Sequence, residues 1–464
     1  MAKRVLINTY DKDGIVDFAQ KLSQKYAYDI IASDNTFDYL VGNGINAEKF
    51  DWNNSSFDIV VCNFYPFNKF ENKEFDEDEL ISNIDTEGLS VLQKAVKNYK
   101  NTLTVSSKSQ YDEVIELIEN NALTEDVSKK YAQKATFELC KTNAQITKVL
   151  DKDSNYNVLA ETKLFDLQYG ENPHQKAEIF SGDILDYEII ANKQLTYNNM
   201  LDINAAAEIA SEFYDVSAVV IVRHAMPCAA ALGATIEEAY LKAVDCDPVS
   251  AFGGVAAFTK KLDKNMAKQL SSMFLEVVIA PDFDESVIDT LSEKNMKLIK
   301  IKTPLKDYKF YINKEIKITP FGILAQETDK SALEKDSFKL VSKKKPTTEI
   351  VEDMVFAWKI AKHARSNAAV IVKDLKTVGM AQGETNRINA IDIALDRACE
   401  GSKDAILATD GALSTTDAIF DAAHGRISAI IQPGGSAKDK EVIAAADKYE
   451  LIMITTGIRQ FKNQ

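Results

Sequence analysis

A guanidinium and an imidazole stand side by side at Arg223-His224, and a thiol follows at Cys228. They close the apolar run Val219–Val222 and come just before the helix-breaking Pro227. An apolar run that stops at a turn signal predicts a buried strand, so the charged pair falls at a strand end, where α/β proteins gather their chemistry. An imidazole with a free pKa near ~6.5 can take a proton at neutral pH. A guanidinium stays charged; it can stabilise a developing negative charge but cannot release a proton. The plain alternative for His224 is a hydrogen-bonded core histidine. The chain has only four histidines, so each can be weighed. His174 lies in the turn-like Asn-Pro-His-Gln and reads as architectural. His363 sits on a predicted helix and reads as structural. His424-Gly425 reads as a helix C-terminus, where an imidazole complements the dipole.

A chain of 464 residues is too long for one core and predicts two to four domains. No apolar run reaches the ~18 residues needed to span a membrane. The N-terminal Lys3-Arg4-Val5-Leu6-Ile7 reads as a strand rather than a signal peptide, so a cytoplasmic location is expected. Cys62, Cys140, Cys228, Cys246 and Cys399 are widely spaced with no C-x-x-C pair, which predicts free thiols and no metal centre. A net charge of −15 argues against nucleic acid or anionic membrane as partners. An anionic substrate would need local cations or backbone N–H groups.

Short apolar strands alternate with amphipathic helices over residues 1–150, the pattern of a βαβ domain with a mostly parallel sheet. Strands are expected at Val5–Asn8, Asp29–Ala32, Phe57–Cys62 and Thr102–Ser106. Helices are expected at Gly14–Lys25, Asp85–Lys97 and Ser128–Leu150. The acidic cluster Glu71–Glu79 reads as a solvated face. A polar stretch from Asp151 to Asn155 marks a boundary, and Lys343-Lys344-Lys345-Pro346 reads as a linker. The expected domains are 1–150, 151–345 and 346–464. The third alternates again, beginning with a helix at Thr348–His363.

Across the second and third domains an ordered set of motifs appears. It runs Tyr169-Gly-Glu-Asn-Pro-His-Gln175, Leu195-Thr-Tyr-Asn-Asn-Met-Leu-Asp202, Arg223-His-Ala-Met-Pro-Cys228 and Cys246-Asp-Pro-Val-Ser-Ala-Phe-Gly-Gly254. Leu275-Glu-Val-Val-Ile-Ala-Pro-Asp282, Arg365-Ser-Asn367, Gln432-Pro-Gly-Gly-Ser436 and Thr456-Gly-Ile-Arg-Gln-Phe461 complete it. The set resembles the bifunctional purine biosynthesis family, in which an AICAR transformylase is fused to an IMP cyclohydrolase. The first domain matches more weakly, through Asp11-Lys12, Asn63-Phe-Tyr-Pro-Phe67, Asn83-Ile-Asp85 and Lys97-Asn98.

The resemblance implies an α/β fold: a methylglyoxal-synthase-like N-terminal domain, then a transformylase of two cytidine-deaminase-like subdomains without zinc. It implies a homodimer with transformylase sites at the interface, AICAR as substrate and 10-formyltetrahydrofolate as formyl donor. Relatives also carry a potassium ion on largely backbone ligands. Carried over residue by residue, His224, Arg223 and Asn367 are the catalytic set. Tyr169, Gly253, Gly254, Glu276, Arg387 and Arg459 fall on substrate-binding positions, and Asn367 and Asp417 on the folate side. Lys12, Tyr65, Asp85 and Lys97 are what remains of the cyclohydrolase set.

Departures from the family pattern shape the expected activity. Arg223 replaces a lysine, so charge is kept and proton donation lost. Gln168 replaces an arginine before Tyr169. The aromatic folate-side stretch Ser-Asp-Ala-Phe-Phe-Pro-Phe reads Thr409-Asp-Gly-Ala-Leu-Ser-Thr415. In the first domain the phosphate loop Ser-Thr-Gly-Gly-Thr reads Ala32-Ser-Asp-Asn-Thr36, which places a carboxylate where a phosphate would rest. The lysine-bearing segment Arg-Val-Lys-Thr-Leu-His-Pro has no equivalent between Ile45 and Phe57, and Glu87-Gly88 stands for a glycine pair. A working transformylase on a degenerate cyclohydrolase domain is the first expectation. A non-catalytic nucleotide-binding homologue that regulates an active partner is the alternative, and altered formyl-donor use is a third.

Overall fold

Apolar β-branched runs become strands here, and the amphipathic stretches between them cover both sheet faces. The structure, a computed structural model, describes residues 3–51, 56–70, 75–151, 155–181, 185–310, 314–332 and 337–463. Trp52, residues 71–74 of the acidic cluster and residues 152–154 of the polar stretch lie outside the described residues. The chain divides into two compact units, Met1–Thr162 and Lys163–Gln464.

The first unit holds β1 (Lys3–Thr9), β2 (Tyr28–Ala32), β3 (Ala47–Lys49), β4 (Ile59–Asn63) and β5 (Leu103–Val105). They form one parallel sheet ordered β3-β2-β1-β4-β5. Its helices are α1 (Ile15–Gln20), α2 (Asp34–Gly42), α3 (Glu77–Ser82), α4 (Thr86–Lys97), α5 (Tyr111–Glu119) and α6 (Glu125–Leu150). Side chains alternate across the pleat. Val5, Ile7, Ile30 and Val61 meet α1 and α5 on one face. Leu6, Ile31, Val60 and Cys62 meet α4 and α6 on the other.

The second unit opens with the hairpin β6 (Lys163–Leu167) and β7 (Ala177–Phe180), then β8 (Tyr187–Ala191). A first series follows: α7 (Tyr197–Ser211), β9 (Ser217–Arg223), β10 (Met226–Gly233), α8 (Ile236–Cys246), α9 (Pro248–Ala251), β11 (Val255–Phe258), α10 (Lys264–Leu270), β12 (Val277–Ala280), α11 (Glu285–Ser292) and β13 (Lys297–Ile301). The hairpin β14 (Lys314–Thr319) and β15 (Gly322–Glu327) and the short β16 (Lys339–Leu340) intervene. A second series then repeats the first except for the one-turn α9. It comprises α12 (Thr348–His363), β17 (Ala369–Lys373), β18 (Lys376–Ala381), α13 (Arg387–Ala398), β19 (Ile406–Thr409), α14 (Asp417–His424), β20 (Ala429–Gln432), α15 (Asp439–Lys448) and β21 (Ile452–Thr455).

Both series share a single sheet of 12 strands, ordered β16-β21-β20-β19-β17-β18-β10-β9-β11-β12-β13-β8. The order mirrors itself about the antiparallel β10–β18 pair, the arrangement of a two-fold axis normal to the sheet. Helices α7 and α12 lie on one face, in a core continuous across both halves that includes Val220, Val222, Trp358, Val370 and Ile431. On the other face α8, α10 and α11 cover the first half and α13, α14 and α15 the second. Among the described residues no helix is long and apolar enough to cross a membrane.

Candidate active site

Strand direction decides which candidate residues meet. β9, β18, β19 and β21 end, and β10, β11, β12 and β17 begin, at the same edge of the large sheet. That edge therefore collects Arg223-His224, Gly253-Gly254, Glu276, Asn367, Arg387, Asp417 and Arg459. Residues at the carboxyl and amino ends of opposed strands, remote in sequence, become neighbours by topology alone.

His224 and Ala225 form the two-residue turn between β9 and β10, both with left-handed backbone (φ 56° and 57°). This turn matches the right-handed twist of its strands but costs about 1 kcal/mol or more per non-glycine residue. Asp202 on α7 offsets the cost, because its carboxylate accepts the backbone N–H groups of His224 and Ala225. Burial pushes the Asp202 carboxyl up, and those two N–H groups act against it. The second series repeats the device: Asp353 on α12 accepts the N–H groups of Asp374 (3.1 Å) and Leu375 (2.7 Å) in the β17–β18 turn. His224 itself is exposed, so it is not a core histidine.

Arg223 donates from Nη1 to the carbonyl of Phe252 at 2.8 Å, which ties the guanidinium to the Phe252–Gly254 loop. Gly253 needs its left-handed backbone (φ 72°), and open space faces it. Gly254 serves a different end: a Cβ there would lie 3.1 Å from Ile221 and 3.2 Å from the Val222 carbonyl, so this close approach is to β9 itself. Glu276 follows, its N–H donating to the Gly254 carbonyl. Burial would raise its carboxyl, but Asn199, the Lys297 ammonium at 3.1 Å and the Arg223 charge hold it below the usual range. Tyr169 joins the same end of α7, where its carbonyl accepts the Tyr197 N–H at 3.0 Å. The Cys228 thiol donates to the Ile221 carbonyl, and burial pushes it up to about 12. It is no thiolate nucleophile at neutral pH.

The second constellation centres on Asn367. Its Oδ1 accepts from Arg387 Nη2 at 2.9 Å, and its Nδ2 donates to the Glu384 carbonyl at 2.9 Å. Asp410, fully buried, accepts from Ser366 Oγ (2.6 Å), the Ala368 N–H (3.0 Å) and Arg387 Nη2 (3.2 Å). Phe461 lies beneath both Arg387 and Arg459, with ring centroids 5.8 and 4.5 Å from the two guanidinium carbons. Gly411 makes room for this: a Cβ there would lie 2.3 Å from Arg387 Nη2 and 2.6 Å from Phe461. A cleft of about 210 Å³ opens beside Arg387, floored by Leu413, Ser414, Thr415 and Ala418. Part of its lining, Leu413 to Thr415, belongs to the stretch Thr409–Thr415. Asp417, at the start of α14, is exposed. The two constellations stand three strand spacings apart within one chain, roughly 14 Å from β9 to β17. Gln382 bridges them by donating to the Pro227 carbonyl at 2.7 Å.

Behind this edge α7 and α12 hold a charged cluster that sequence reasoning missed. His363, 4% exposed, lies between Glu208 (3.5 Å) and Glu212 (3.4 Å), while Lys362 pairs with Glu212 and Lys462 with Glu208, each at 3.0 Å. Burial would raise the Glu212 carboxyl, but His363 and Lys362 outweigh it and hold the group at about 2. A carboxylate depressed in the folded state contributes stability that is fully present above its unfolded pKa and is lost as pH falls through the folded one. The stability that Glu212 supplies should therefore disappear between about pH 4.5 and about pH 2. Urea midpoints measured across that window should fall less steeply for Glu212→Gln than for the native chain. Parallel curves would remove this assignment.

In the first unit Lys12, Asn8 and Asp85 meet at the carboxyl ends of the parallel strands. Lys12 Nζ donates to the Thr9 carbonyl and to Thr36 Oγ1, and burial lowers its ammonium although Asp85 acts the other way. Asp85 accepts from Asn8 Nδ2 and the Gly88 N–H, both at 2.7 Å. A Cβ at Gly88 would lie 2.2 Å from Asp85, so this glycine is fixed by the carboxylate. Ala32–Thr36 is not an open loop: Ser33 is the N-cap of α2 and Asp34 its first residue, pairing with Lys49 at 2.7 Å. A carboxylate is itself favoured at that helix start. Tyr65 packs among Tyr10, Phe67 and Phe70. Lys97 is the last residue of the 12-residue helix that Asp85 caps, so within one chain the two lie roughly 18 Å apart.

Comparison with known proteins places the chain. The family model described as AICARFT/IMPCHase bienzyme matches residues 95–397. A protein of Caldicellulosiruptor bescii named bifunctional purine biosynthesis protein PurH is 36% identical over 519 residues, covering all of both chains. One of the same name from Thermoanaerobacter sp. is 37% identical over 516 residues, again covering all of both. These alignments are longer than the 464 residues here, so each relative has segments that this chain lacks. A solved structure titled crystal structure of ForH covers 32% of this chain and all of its own, at 17% identity and TM-score 0.29. The chain belongs to the AICARFT/IMPCHase bienzyme family.

Proposed function

We propose that the edge bearing Arg223, His224 and Asn367 transfers a formyl group from 10-formyltetrahydrofolate to the 5-amino group of AICAR in purine biosynthesis. The observation that carries this is the convergence of every transferred site residue of the second unit on one sheet edge, in a chain of this family. The AICAR amine is a weak nucleophile because its lone pair is delocalised into the imidazole and carboxamide. As its nitrogen bonds the formyl carbon, the exposed imidazole at position 224 takes the amine proton. The Arg223 guanidinium stabilises the oxygen anion. The bond from the formyl carbon to the folate nitrogen then breaks, and that nitrogen needs a proton. Arginine does not supply it, so His224 returns the one it took. Arg387, held to Asn367, fixes the amide whose donor and acceptor orient the reactants. No step is assigned to potassium.

The architecture proposed with this is a methylglyoxal-synthase-like unit followed by two cytidine-deaminase-like subdomains. The two repeated series and their shared sheet support the duplication. The chain is proposed to work as a cytoplasmic homodimer, without nucleic acid or membrane, with sites completed across the interface. The 14 Å between the two constellations within a chain supports such completion. The cleft by Arg387 lies below the roughly 300–1,000 Å³ usual for ligand pockets, which supports weak folate binding. We infer that cyclohydrolase turnover is lost or greatly reduced, because Lys12 and Asp85 bond within the chain and Asp34 occupies the start of α2. The test is isothermal calorimetry with AICAR and with 10-formyltetrahydrofolate, beside a formyl-transfer assay. Turnover with both ligands bound supports the reading. AICAR binding without turnover would favour the non-catalytic homologue.

A further inference from the structure

We propose that Lys462 is a positioning residue for Asn367 and Arg387, acting through Glu208 and through the chain segment Gln460–Lys462. This rests on the formyl-transfer reading of the site. The C-terminal segment does not merely trail past the sheet. The Lys462 N–H donates to Ser366 Oγ at 3.1 Å, and the Ser366 N–H donates to the Lys462 carbonyl at 2.9 Å. The Gln460 N–H donates to the Asp410 carbonyl at 2.9 Å. Two residues that flank or buttress Asn367, Ser366 and Asp410, are thus paired with this segment by backbone bonds. Phe461 between them lies under Arg387, in the space that Gly411 leaves.

Charge adds to these bonds in holding the segment down. Lys462 Nζ meets Glu208 Oε2 at 3.0 Å, and the other oxygen of that carboxylate faces His363 Nδ1 at 3.5 Å. His363 in turn faces Glu212 at the end of α7, which pairs with Lys362 and whose carbonyl accepts from Lys359 Nζ at 2.6 Å. Helix α12 ends at His363, and Ala364, Arg365, Ser366 and Asn367 follow directly. The cluster therefore grips both the segment before Asn367 and the segment paired to it. Removal of the ammonium frees Phe461 to shift, and Arg387 loses the surface that sets its plane. A hydrogen bond misplaced by about an ångström at a reacting amide costs on the order of 100-fold in rate. The simpler view is that Lys462 and Glu208 form an ordinary ion pair between the C-terminal segment and α7, which would touch stability alone.

The two views separate in a comparison of Lys462→Met, Lys462→Arg and Glu208→Gln with the native chain, reading kcat, KM, AICAR affinity and Tm. The proposal expects Lys462→Met to lower kcat by about 10–100-fold with Tm little changed, and Lys462→Arg to recover most of it. The double variant Lys462→Met with Glu208→Gln should be no slower than Lys462→Met alone. Native kcat and AICAR affinity in Lys462→Met would overturn the proposal, as would a Tm loss with kcat intact. If Lys462→Met does not fold, Glu208→Gln is read by the same criteria. If the native chain transfers no formyl group, the function assigned above fails, and AICAR affinity still decides. A roughly 10-fold weakening in Lys462→Met then supports positioning, and an unchanged value overturns it.

Discussion

Replacing His224 with alanine is expected to lower kcat for formyl transfer by about 10²–10⁴-fold while AICAR affinity stays within a few-fold. The size follows from the role. Among the described residues near Arg223, the Cys228 thiol is pushed up to about 12 and donates to a carbonyl, and the Asp202 carboxylate is taken up by the backbone N–H groups of the turn. Glu276 is engaged with Lys297. Stability should barely move, because the imidazole is exposed and the turn is held by the Asp202 carboxylate, which accepts backbone N–H groups whatever the side chain. Stopped assays with tetrahydrofolate readout on His224→Ala and His224→Gln check this. A kcat within about three-fold of native in both variants would remove His224 from the mechanism.

The second large effect is on the fold of the site rather than its chemistry. Arg387→Met takes the guanidinium from Asp410, which is fully buried, and from the Asn367 Oδ1. A buried carboxylate that loses its cation costs about 3–5 kcal/mol. Ser366 and Ala368 still donate to Asp410, so the lower end, about 3 kcal/mol, is expected. Arg387→Lys should restore only part, because a single ammonium cannot serve Asp410, Asn367 and the Ala412 carbonyl in the fixed fork that arginine provides. Urea unfolding gives the stability loss and calorimetry the AICAR affinity. Loss under about 0.5 kcal/mol would show that the Arg387–Asp410 pair does not hold the site together.

Much of the fold was legible because it is written in local periodicity. The helix expected at Thr348–His363 forms over those residues, and the alternation expected after it continues from β17 to β21. The apolar run at Val219–Val222 is a buried strand with Arg223-His224 at its end, as its turn signal implied. The misses share a cause: they depend on contacts far along the chain. Ala32–Thr36 reads as a loop until Asp34 is seen to open α2 and meet Lys49. Gly254 reads as room for a ligand, whereas the neighbour it admits is β9. The cluster around His363 joins residues more than 150 positions apart, so no window of sequence contains it. Asp202 closes the motif Leu195–Asp202, and its carboxylate three residues before a helical alanine run was the available signal. Only its match in Asp353, at the same place in the repeated series, reveals the role.

The most direct measurement of the central claim is a coupled assay on the purified chain, with AICAR and 10-formyltetrahydrofolate, following tetrahydrofolate, FAICAR and IMP separately. Tetrahydrofolate released together with accumulating FAICAR, and little IMP, is the predicted result. Absence of tetrahydrofolate would contradict formyl transfer at the Arg223-His224 edge, and IMP formed as fast as FAICAR would contradict the reading of Lys12, Asp34 and Asp85 as a closed remnant.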